Sequence, residues 1–266
     1  MFPFRNILFP DHSVNAEAAL RYATAFAQHG HGQVVPFSVQ DAKTELASKI
    51  AQAAIDHDID LITVALRDRN RLTRAFGSSL DEDIIAESPC AVLAIRPLQR
   101  DFINGESEIQ LKRVLLATNF RPSSVAATQL ATQMANQFGA ELHAVYVIGD
   151  YIEQISVMFP EGGLAALTRL RSYVQERMAH LARGGGATHI AEGRPYQEIV
   201  KLADTLQVDL IVIGTAVHGS LFGSSQVLGA EIERVIRNAP CPVLCVPAAK
   251  VLTPLPALVT QIVPQT

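Results

Sequence analysis

The chain has 266 residues, of which 48% are hydrophobic and 18% charged, a composition typical of a globular protein with a large buried core. Its net charge of −4 argues against a nucleic-acid-binding surface, which normally carries a basic excess. The first residues lack the apolar core of a signal peptide, and no stretch has the roughly 18–20 apolar residues of a membrane span. Three cysteines indicate free thiols. Together these features predict a cytoplasmic protein that binds neither nucleic acid nor membrane.

The first part of the chain has alternating strand and helix patterns. The runs NILFP and QVVPFSV predict two strands, and TELASKIAQAAIDH then predicts a helix. A buried strand, DLITVAL, follows, and SSLDEDI reads as the start of a helix with acidic residues at its positive end. The apolar run AVLAIRP predicts the last strand of this part.

The second part has the same alternation with more elements. Arg113–Thr118 is predicted as a strand, followed by a helix capped by Ser124 and ended by Gly139. After these come a strand in ELHAVYVI, a helix in LAALTRLRSYVQERMAHLA, a strand in THIAEG and a helix in YQEIVKLADTLQ. The buried strand DLIVIG, the helix GAEIERVIRNA and the strand PVLCVP complete the series. Strands that alternate with helices predict a parallel sheet.

Three pairs of segments show that the two parts are related. NILFPDHS resembles RVLLATNF, with Asp11 placed opposite Asn119 at a separation of 108 residues, and DIDLITVAL resembles QVDLIVIGT at a separation of 149. The first part therefore lacks 41 residues, which correspond to a helix and an edge strand of the second. We predict an α/β protein with two doubly wound parallel-sheet domains, the first truncated, over residues 1–98 and 112–248, followed by a tail, 249–266.

The paired units resemble a tandem universal stress protein. The third repeated pair, ESPCAVLAIRP and NAPCPVLCVP, ends each unit in the way typical of that family. The resemblance implies an adenine nucleotide alpha hydrolase-like fold and, for many members, binding of ATP or AMP. The family pattern is G-x2-G-x9-G-[ST] after the fourth strand, with an Asp at the end of the first strand. The family's terminal strands pair between domains, so the resemblance also implies self-association through these edge strands.

The second unit keeps part of this pattern. Gly219 and Gly229 have the x9 spacing, whereas Gly214 and Thr215 lie where the first glycine is expected, at a spacing of x4. Ala230 replaces the Ser/Thr. Glycines let backbone N–H groups approach a phosphate, and the following helix N-terminus adds partial positive charge.

The resemblance thus predicts an adenine nucleotide site in the second unit. Asn119 stands where the family has Asp, and its amide can donate and accept hydrogen bonds without charge. The predicted site residues are Thr118, Asn119, Val147, Gly214, Thr215, His218, Gly219, Ser220, Gly229 and Ala230. The alternative interpretation of this loop is a Gly/Ser connector in a degenerate domain, and the need for Mg²⁺ is left open.

The first unit has a degenerate version of the site. Asp11 is retained, and Ser78 and Ser79 lie at the third glycine and Ser/Thr positions. Asp68 would stand inside the phosphate loop, where its charge repels a phosphate. We expect no nucleotide in this unit.

The resemblance implies a stress-response sensor or binding module that uses an adenine nucleotide and has no dedicated catalysis. Two alternatives stay open. One is a nucleotide-free scaffold that acts through its paired surfaces. The other is a slow ATPase, although the sequence gives it no identifiable general base or pair of metal-binding carboxylates.

Overall fold

The computed structural model describes residues 2–11, 16–38, 45–66, 80–97, 99–105, 107–149, 160–215, 218–219 and 226–248. The predicted site residues Ser78, Ser79 and Ser220 and the tail 249–266 lie outside these ranges. Among the described residues, no helix is long and apolar enough to cross a membrane.

Both halves are built from alternating strands and helices, as the sequence predicts. The first half comprises β1 (Asn6–Pro10), α1 (Ala16–Gly30), β2 (Gln33–Phe37), α2 (Leu46–Asp56), β3 (Leu61–Ala65), α3 (Leu80–Glu87) and β4 (Ala91–Ile95). The second comprises β5 (Arg113–Ala117), α4 (Ser123–Phe138), β6 (Glu141–Gly149), α5 (Pro160–Ala182), β7 (Ala187–Gly193), α6 (Pro195–Thr205), β8 (Leu210–Thr215), β9 (His218–Gly219), β10 (Gln226–Val227), α7 (Ala230–Asn238) and β11 (Val243–Pro247).

Nine of the strands form one continuous sheet in the order β2-β1-β3-β4-β11-β8-β5-β6-β7. Neighbours run parallel except at the centre, where β4 and β11 are antiparallel and Leu93 pairs with Leu244. The α/β class is therefore confirmed, and the two predicted sheets join through their last strands within one chain. The outer edges of the sheet are β2 and β7. Self-association between chains and the domain boundaries stay predictions.

Burial on both faces explains the apolar strand sequences. Strands β3, β4 and β11 are buried at every position, as expected for parallel strands covered on both sides. One core contains buried residues of α1, α4 and α5, and the other contains buried residues of α2, α3, α6 and α7. The sheet thus separates two layers of helices.

The second half contains a strand, β7, and a helix, α5, for which the first half has no counterpart among its described elements. Strand β7 pairs with β6 and forms one edge of the sheet, and α5 precedes it in the chain. Among the described strands of the first half, β2 occupies the opposite edge next to β1. The structure therefore agrees with the prediction that the first unit lacks an edge strand and its helix.

The segment between the halves is packed against both of them, although its polar sequence suggested a simple linker. The backbone N–H of Arg100 donates to the carbonyl oxygen of Pro240 at 2.8 Å. The hydroxyl of Tyr22 donates to Asp101 at 2.6 Å. Phe102 is buried beside Tyr22, with ring centroids 5.0 Å apart. Apolar and charged residues of this segment thus attach it to α1 and to the start of β11.

The predicted cap of α4 is wrong. The helix begins at Ser123 after Pro122, and no side-chain cap is present at this described helix end. The hydroxyl of Ser124 instead donates to the side-chain oxygen of Asn119 at 2.7 Å. The predicted helix end is correct, because Gly139 adopts φ +63°, a conformation that favours glycine.

An ion pair crosses between the two halves near the centre of the sheet. Glu82, in the first turn of α3, is only 6% exposed and pairs with Arg237 of α7. Arg237 also contacts Glu233 at 3.0 Å. The acidic start of α3, which the sequence suggested only as a favourable charge at a helix end, thus also joins α3 to α7.

Candidate functional site

Most of the described predicted site residues of the second half lie at or just after the carboxyl ends of β5, β6 and β8, or at the start of α7. Strand β5 pairs with β6 on one side and with β8 on the other, all parallel. Helix α4, which follows β5, packs in one core, whereas α6, which precedes β8, packs in the other. Ligands of open α/β sheets bind at such reversals, outside the carboxyl ends of the strands. The crevice between the ends of β5 and β8 is therefore the candidate site.

Thr118 forms the wall at the end of β5. It is 7% exposed, and its backbone N–H donates to Val145 at 3.0 Å, which extends the pairing with β6. Its hydroxyl oxygen accepts the N–H of Phe120 at 3.2 Å. Phe120 has φ +57°, a left-handed conformation that is uncommon for a bulky residue. The chain thus turns sharply out of the strand at this point.

Asn119 is exposed in this turn, and its side-chain oxygen is already engaged. The oxygen accepts the backbone N–H of Arg121 at 3.1 Å and the hydroxyl of Ser124 at 2.7 Å. Because a backbone N–H must meet an acceptor, these bonds fix which amide atom is the oxygen. The NH₂ group is therefore what Asn119 offers to a ligand, whereas an Asp in the same turn would offer a charged oxygen.

Gly214 has a packing role at the end of β8. A Cβ atom added at this position would overlap the carbonyl oxygen of Ser123 and approach Ser124, so β8 and the start of α4 require a glycine here. Thr215, the next residue, is 2% exposed and pairs with Pro247 of β11. The predicted nucleotide contacts of both residues stay predictions.

The loop after β8 contains a short hairpin. His218 pairs with Val227 and Gly219 with Gln226, in antiparallel fashion. The side chain of His218 lies outside the described part of the structure, as does Ser220. Gly219 is thus placed in the hairpin by its backbone alone.

Helix α7 begins at Ala230 with Gly229 as its N-cap. Gly229 has the extended values φ −63° and ψ 136°, and no side-chain cap is found at this described helix start. Ala230 is exposed. The first N–H groups of a helix have no partners within the helix, and together with the helix dipole they attract anions. An acceptor such as a phosphate oxygen fits this end.

Two acidic residues in the first turn of α7 oppose an anion, but both have partners. Glu231 accepts the N–H of Tyr196 at 3.1 Å and pairs with Arg234 at 2.8 Å. Glu233 pairs with Arg237 at 3.0 Å. These contacts direct the carboxylates toward α6 and along α7.

The remaining second-half residue is Val147, which is half-buried on β6 and packs against the core that contains α6 and α7. Sequence reasoning missed the bond from Ser124 to Asn119. Their spacing of five residues across a turn and a helix start has no recognised signature, so only the folded turn brings them together. Within the described residues, no group of three or more metal-ligating side chains is found.

The first half has a cavity of about 390 Å³ at the carboxyl ends of β3 and β4, which lie on the opposite side of the sheet because β4 and β11 are antiparallel. Its lining includes Glu17, Arg21, Ala65 and Arg96. Asp11 is exposed, and its N–H donates to Phe37 at 3.0 Å. Sequence reasoning did not anticipate this cavity. The absence of nucleotide from this half stays a prediction.

Comparison with known proteins gives a consistent picture. A family model described as "Universal stress protein family" matches residues 43–96 and 110–247. A universal stress protein of Methanocaldococcus jannaschii is 34% identical over 158 residues, which are 55% of this chain and 87% of that protein. A universal stress protein from Thermus aquaticus is 32% identical over 138 residues, which are 51% of this chain and 98% of that protein. Each relative thus corresponds to about half of this chain.

Solved structures match the two halves together. A universal stress protein from Archaeoglobus fulgidus has a TM-score of 0.61 at 19% identity, covering 92% of this chain and 97% of that chain. A functionally unknown protein from Pseudomonas aeruginosa has a TM-score of 0.62 at 17% identity, with coverages of 97% and 95%. At these identities the likeness establishes the fold alone.

Proposed function

This chain belongs to the universal stress protein family, and from that premise we propose that its second half binds an adenine nucleotide, ATP or AMP, at the carboxyl ends of β5 and β8. The protein then acts as a cytoplasmic stress-response sensor or binding module, without a catalytic step of its own. The observation that carries the proposal is the reversal of strand order between β5 and β8, with Asn119 following one strand and Thr215 ending the other.

The phosphate end of the nucleotide is assigned to the start of α7. The first N–H groups of this helix and the backbone around Gly229 supply donors for phosphate oxygens. Ala230 provides no hydroxyl group, in contrast to the Ser/Thr of the family pattern. The proposed cradle therefore depends on backbone groups.

The remainder of the nucleotide is assigned to the ends of β5 and β6. Val147 offers apolar surface on β6, and the NH₂ group of Asn119 offers a donor. Because the side-chain oxygen of Asn119 is engaged, its ligand partner must be an acceptor atom, such as a ring nitrogen or a ribose oxygen.

Isothermal titration with ATP and with AMP tests the proposal. The informative variant is Gly229→Val, because Gly229 has an ordinary φ of −63° and, among the described residues, a Cβ there meets only Ile232, at 3.8 Å. We expect it to remove the heat of binding, since its branched side chain crowds the phosphate cradle. Gly219→Val tests the other loop glycine in the same way.

Gly105→Val is the matched control, because a Cβ at Gly105 meets nothing within 4 Å. It should bind like the unmodified protein. Absence of heat from the unmodified protein, or equal affinity in all variants, would leave the nucleotide-free scaffold as the better account.

Ala230→Ser is a gain-of-function test of the same cradle. The added hydroxyl lies at the exposed first residue of α7 and can donate to a phosphate oxygen, so we expect affinity to rise about fivefold to tenfold. Titration with ATP measures the change. Unchanged affinity for ATP would contradict the placement of a phosphate at the start of α7.

A further inference from the structure

Two histidine side chains meet on neighbouring strands in the second half. His143 lies on β6 and His189 on β7, where His189 pairs in register with Val145. The Nδ1 atom of His143 is 3.2 Å from the Nε2 atom of His189, and the ring planes are inclined by 32°. Two ring nitrogens therefore face each other on one face of the sheet.

The other nitrogen of His143 faces a carboxylate. Its Nε2 atom is 3.7 Å from Oε2 of Glu141, and the same oxygen accepts the Nε–H of Arg113 at 3.1 Å. A negative oxygen at this side favours the tautomer of His143 that carries its proton on Nε2. Nδ1 of His143 then accepts the Nε2–H of His189, and a metal ion between them takes the place of this proton while His189 carries its proton on Nδ1.

Burial keeps the partner ring uncharged. The pKa of His189 is lowered from its ordinary value of 6.5, first by burial and second by His143. The side chain of His143 is itself only 13% exposed. Neutral imidazoles have free lone pairs, and these are the form that binds metal ions.

We propose that His143 and His189 form a binding site for a divalent transition-metal ion, with Zn²⁺ as the reference ion. Imidazole nitrogens suit Zn²⁺, Cu²⁺ and Ni²⁺. With Zn–N bonds of about 2.0–2.1 Å, a nitrogen separation of 3.2 Å corresponds to an N–Zn–N angle of about 100°, close to tetrahedral. Water completes the coordination, because the described residues contain no third ligand at this point.

The carboxylate has a positioning role in this site. Metal-binding histidines typically donate their second N–H to a carboxylate or carbonyl, which fixes the ring and raises its basicity. Glu141 is the carboxylate nearest to Nε2 of His143, at 3.7 Å, and Arg113 pairs with it. That distance is too long for a hydrogen bond, and Nε2 is buried without a hydrogen-bond partner among the described residues, so Glu141 takes the positioning role only if it closes this gap when metal binds.

The metal site is separate from the nucleotide crevice. His143 lies near the start of β6, and the carboxyl end of that strand at Gly149 is six residues away, or about 20 Å. The proposal therefore stands or falls independently of nucleotide binding.

Titration of the full chain with ZnCl₂ at pH 7.5 tests the proposal, with MgCl₂ as the comparison ion. We expect saturable binding of Zn²⁺ and none of Mg²⁺, because Mg²⁺ prefers oxygen ligands. His143→Asn and His189→Asn should each lower zinc affinity more than about tenfold, and Glu141→Gln about tenfold. His57→Asn, which removes an exposed histidine after α2, should bind zinc unchanged.

Circular dichroism of each variant shows whether the fold is intact. Zinc isotherms unchanged in both histidine variants, or no saturable heat with the unmodified protein, would overturn the proposal.

Electron paramagnetic resonance of Cu²⁺ added to the unmodified protein gives a second readout that needs no variant. Two coordinated imidazole nitrogens should produce hyperfine splitting from both. A spectrum with one nitrogen or with oxygen ligands alone would contradict the two-histidine site.

Discussion

At the residue scale, the hydrogen bonds of Asn119 decide what this residue can offer a ligand in place of the Asp of the family pattern. From the sequence, Asn119 was expected to donate or accept near a ligand without charge. The structure shows its oxygen bonded to Arg121 and Ser124, so its NH₂ group faces outward. The repeat singled out Asn119 as a candidate site residue. It could not show which atom of the side-chain amide is left for a ligand, because the bond to Ser124 depends on the turn at Phe120.

Gly214 is required by packing, and this can be tested through stability. In Gly214→Ala the new methyl group overlaps the carbonyl oxygen of Ser123, so β8 and α4 must move apart. We expect a loss of about 1–3 kcal/mol or more in the free energy of unfolding, measured by urea denaturation. Gly105→Ala, in open space, should change it by less than about 0.5 kcal/mol. Equal stability of the two variants would contradict this packing.

The half-buried side chain of His189 makes the free energy of unfolding depend on pH. Because the pKa of His189 in the folded state is lowered below 6.5 by burial and by His143, the unfolded chain takes up the proton first as pH falls. The contribution of the neutral His189 ring to the free energy of unfolding is fully present above about pH 6.5, the ordinary pKa of histidine. It is lost as the pH falls below that value toward the lower pKa of His189 in the folded state. The neighbouring ionisable side chains at this pair are Glu141 and Arg113, which lie beside His143.

Urea denaturation at pH 7.5 and at pH 5.5 measures this effect. The loss of stability at pH 5.5 should be smaller in His189→Asn than in the unmodified protein, while His57→Asn should retain the full loss. A pH dependence that His189→Asn leaves unaltered would show that another group is responsible.

At the scale of elements, the helices that join the halves were the hardest to anticipate. The segments SSLDEDI and GAEIERVIRNA indicated α3 and α7, and the acidic residues of the first segment were interpreted only as favourable charge at a helix start. The structure instead pairs Glu82 of α3 with Arg237 of α7. A contact between residues 155 positions apart leaves no local pattern in either helix. Element types could thus be predicted from periodicity, but partners across the junction could not.

Removing one member of this pair should destabilise the contact between α3 and α7. Glu82 is 6% exposed, so in Glu82→Ala the charge of Arg237 keeps Glu233 as its one carboxylate partner within the described part of the chain. We expect a loss of about 1–3 kcal/mol, less than for a buried charge left without any partner. Thermal or urea unfolding measures it. Asp83→Ala, on the same turn but less buried, is the control, and equal losses in both variants would count against the pairing.

At the scale of the whole molecule, the joining of two sheets follows from the apolar last strands of both halves. Strands β4 and β11 are buried at every position. By pairing with each other, they satisfy the backbone N–H and C=O groups that each would otherwise expose as an edge strand. The resemblance to universal stress proteins, whose terminal strands pair between domains, implied this pairing. The packed segment around Phe102 could not be predicted, because its polar residues resemble those of a free linker.

The second half alone, residues 107–248, should therefore associate through its uncovered β11. Its apolar edge can pair with a second copy in the antiparallel way that β11 now pairs with β4. Analytical ultracentrifugation should show dimers or larger species for this half and not for its Leu244→Lys variant. A monomeric second half would contradict the role of the central strand pair.

The central claim is that the crevice between β5 and β8 holds an adenine nucleotide. Its most direct test is a crystal structure of the full chain grown with ATP at a concentration that saturates the heat of binding. We expect density at the carboxyl edge of the second half, with phosphate oxygens on the first N–H groups of α7 and an acceptor atom at the NH₂ group of Asn119. A nucleotide found elsewhere, or a crevice filled by the protein's own side chains, would contradict the claim.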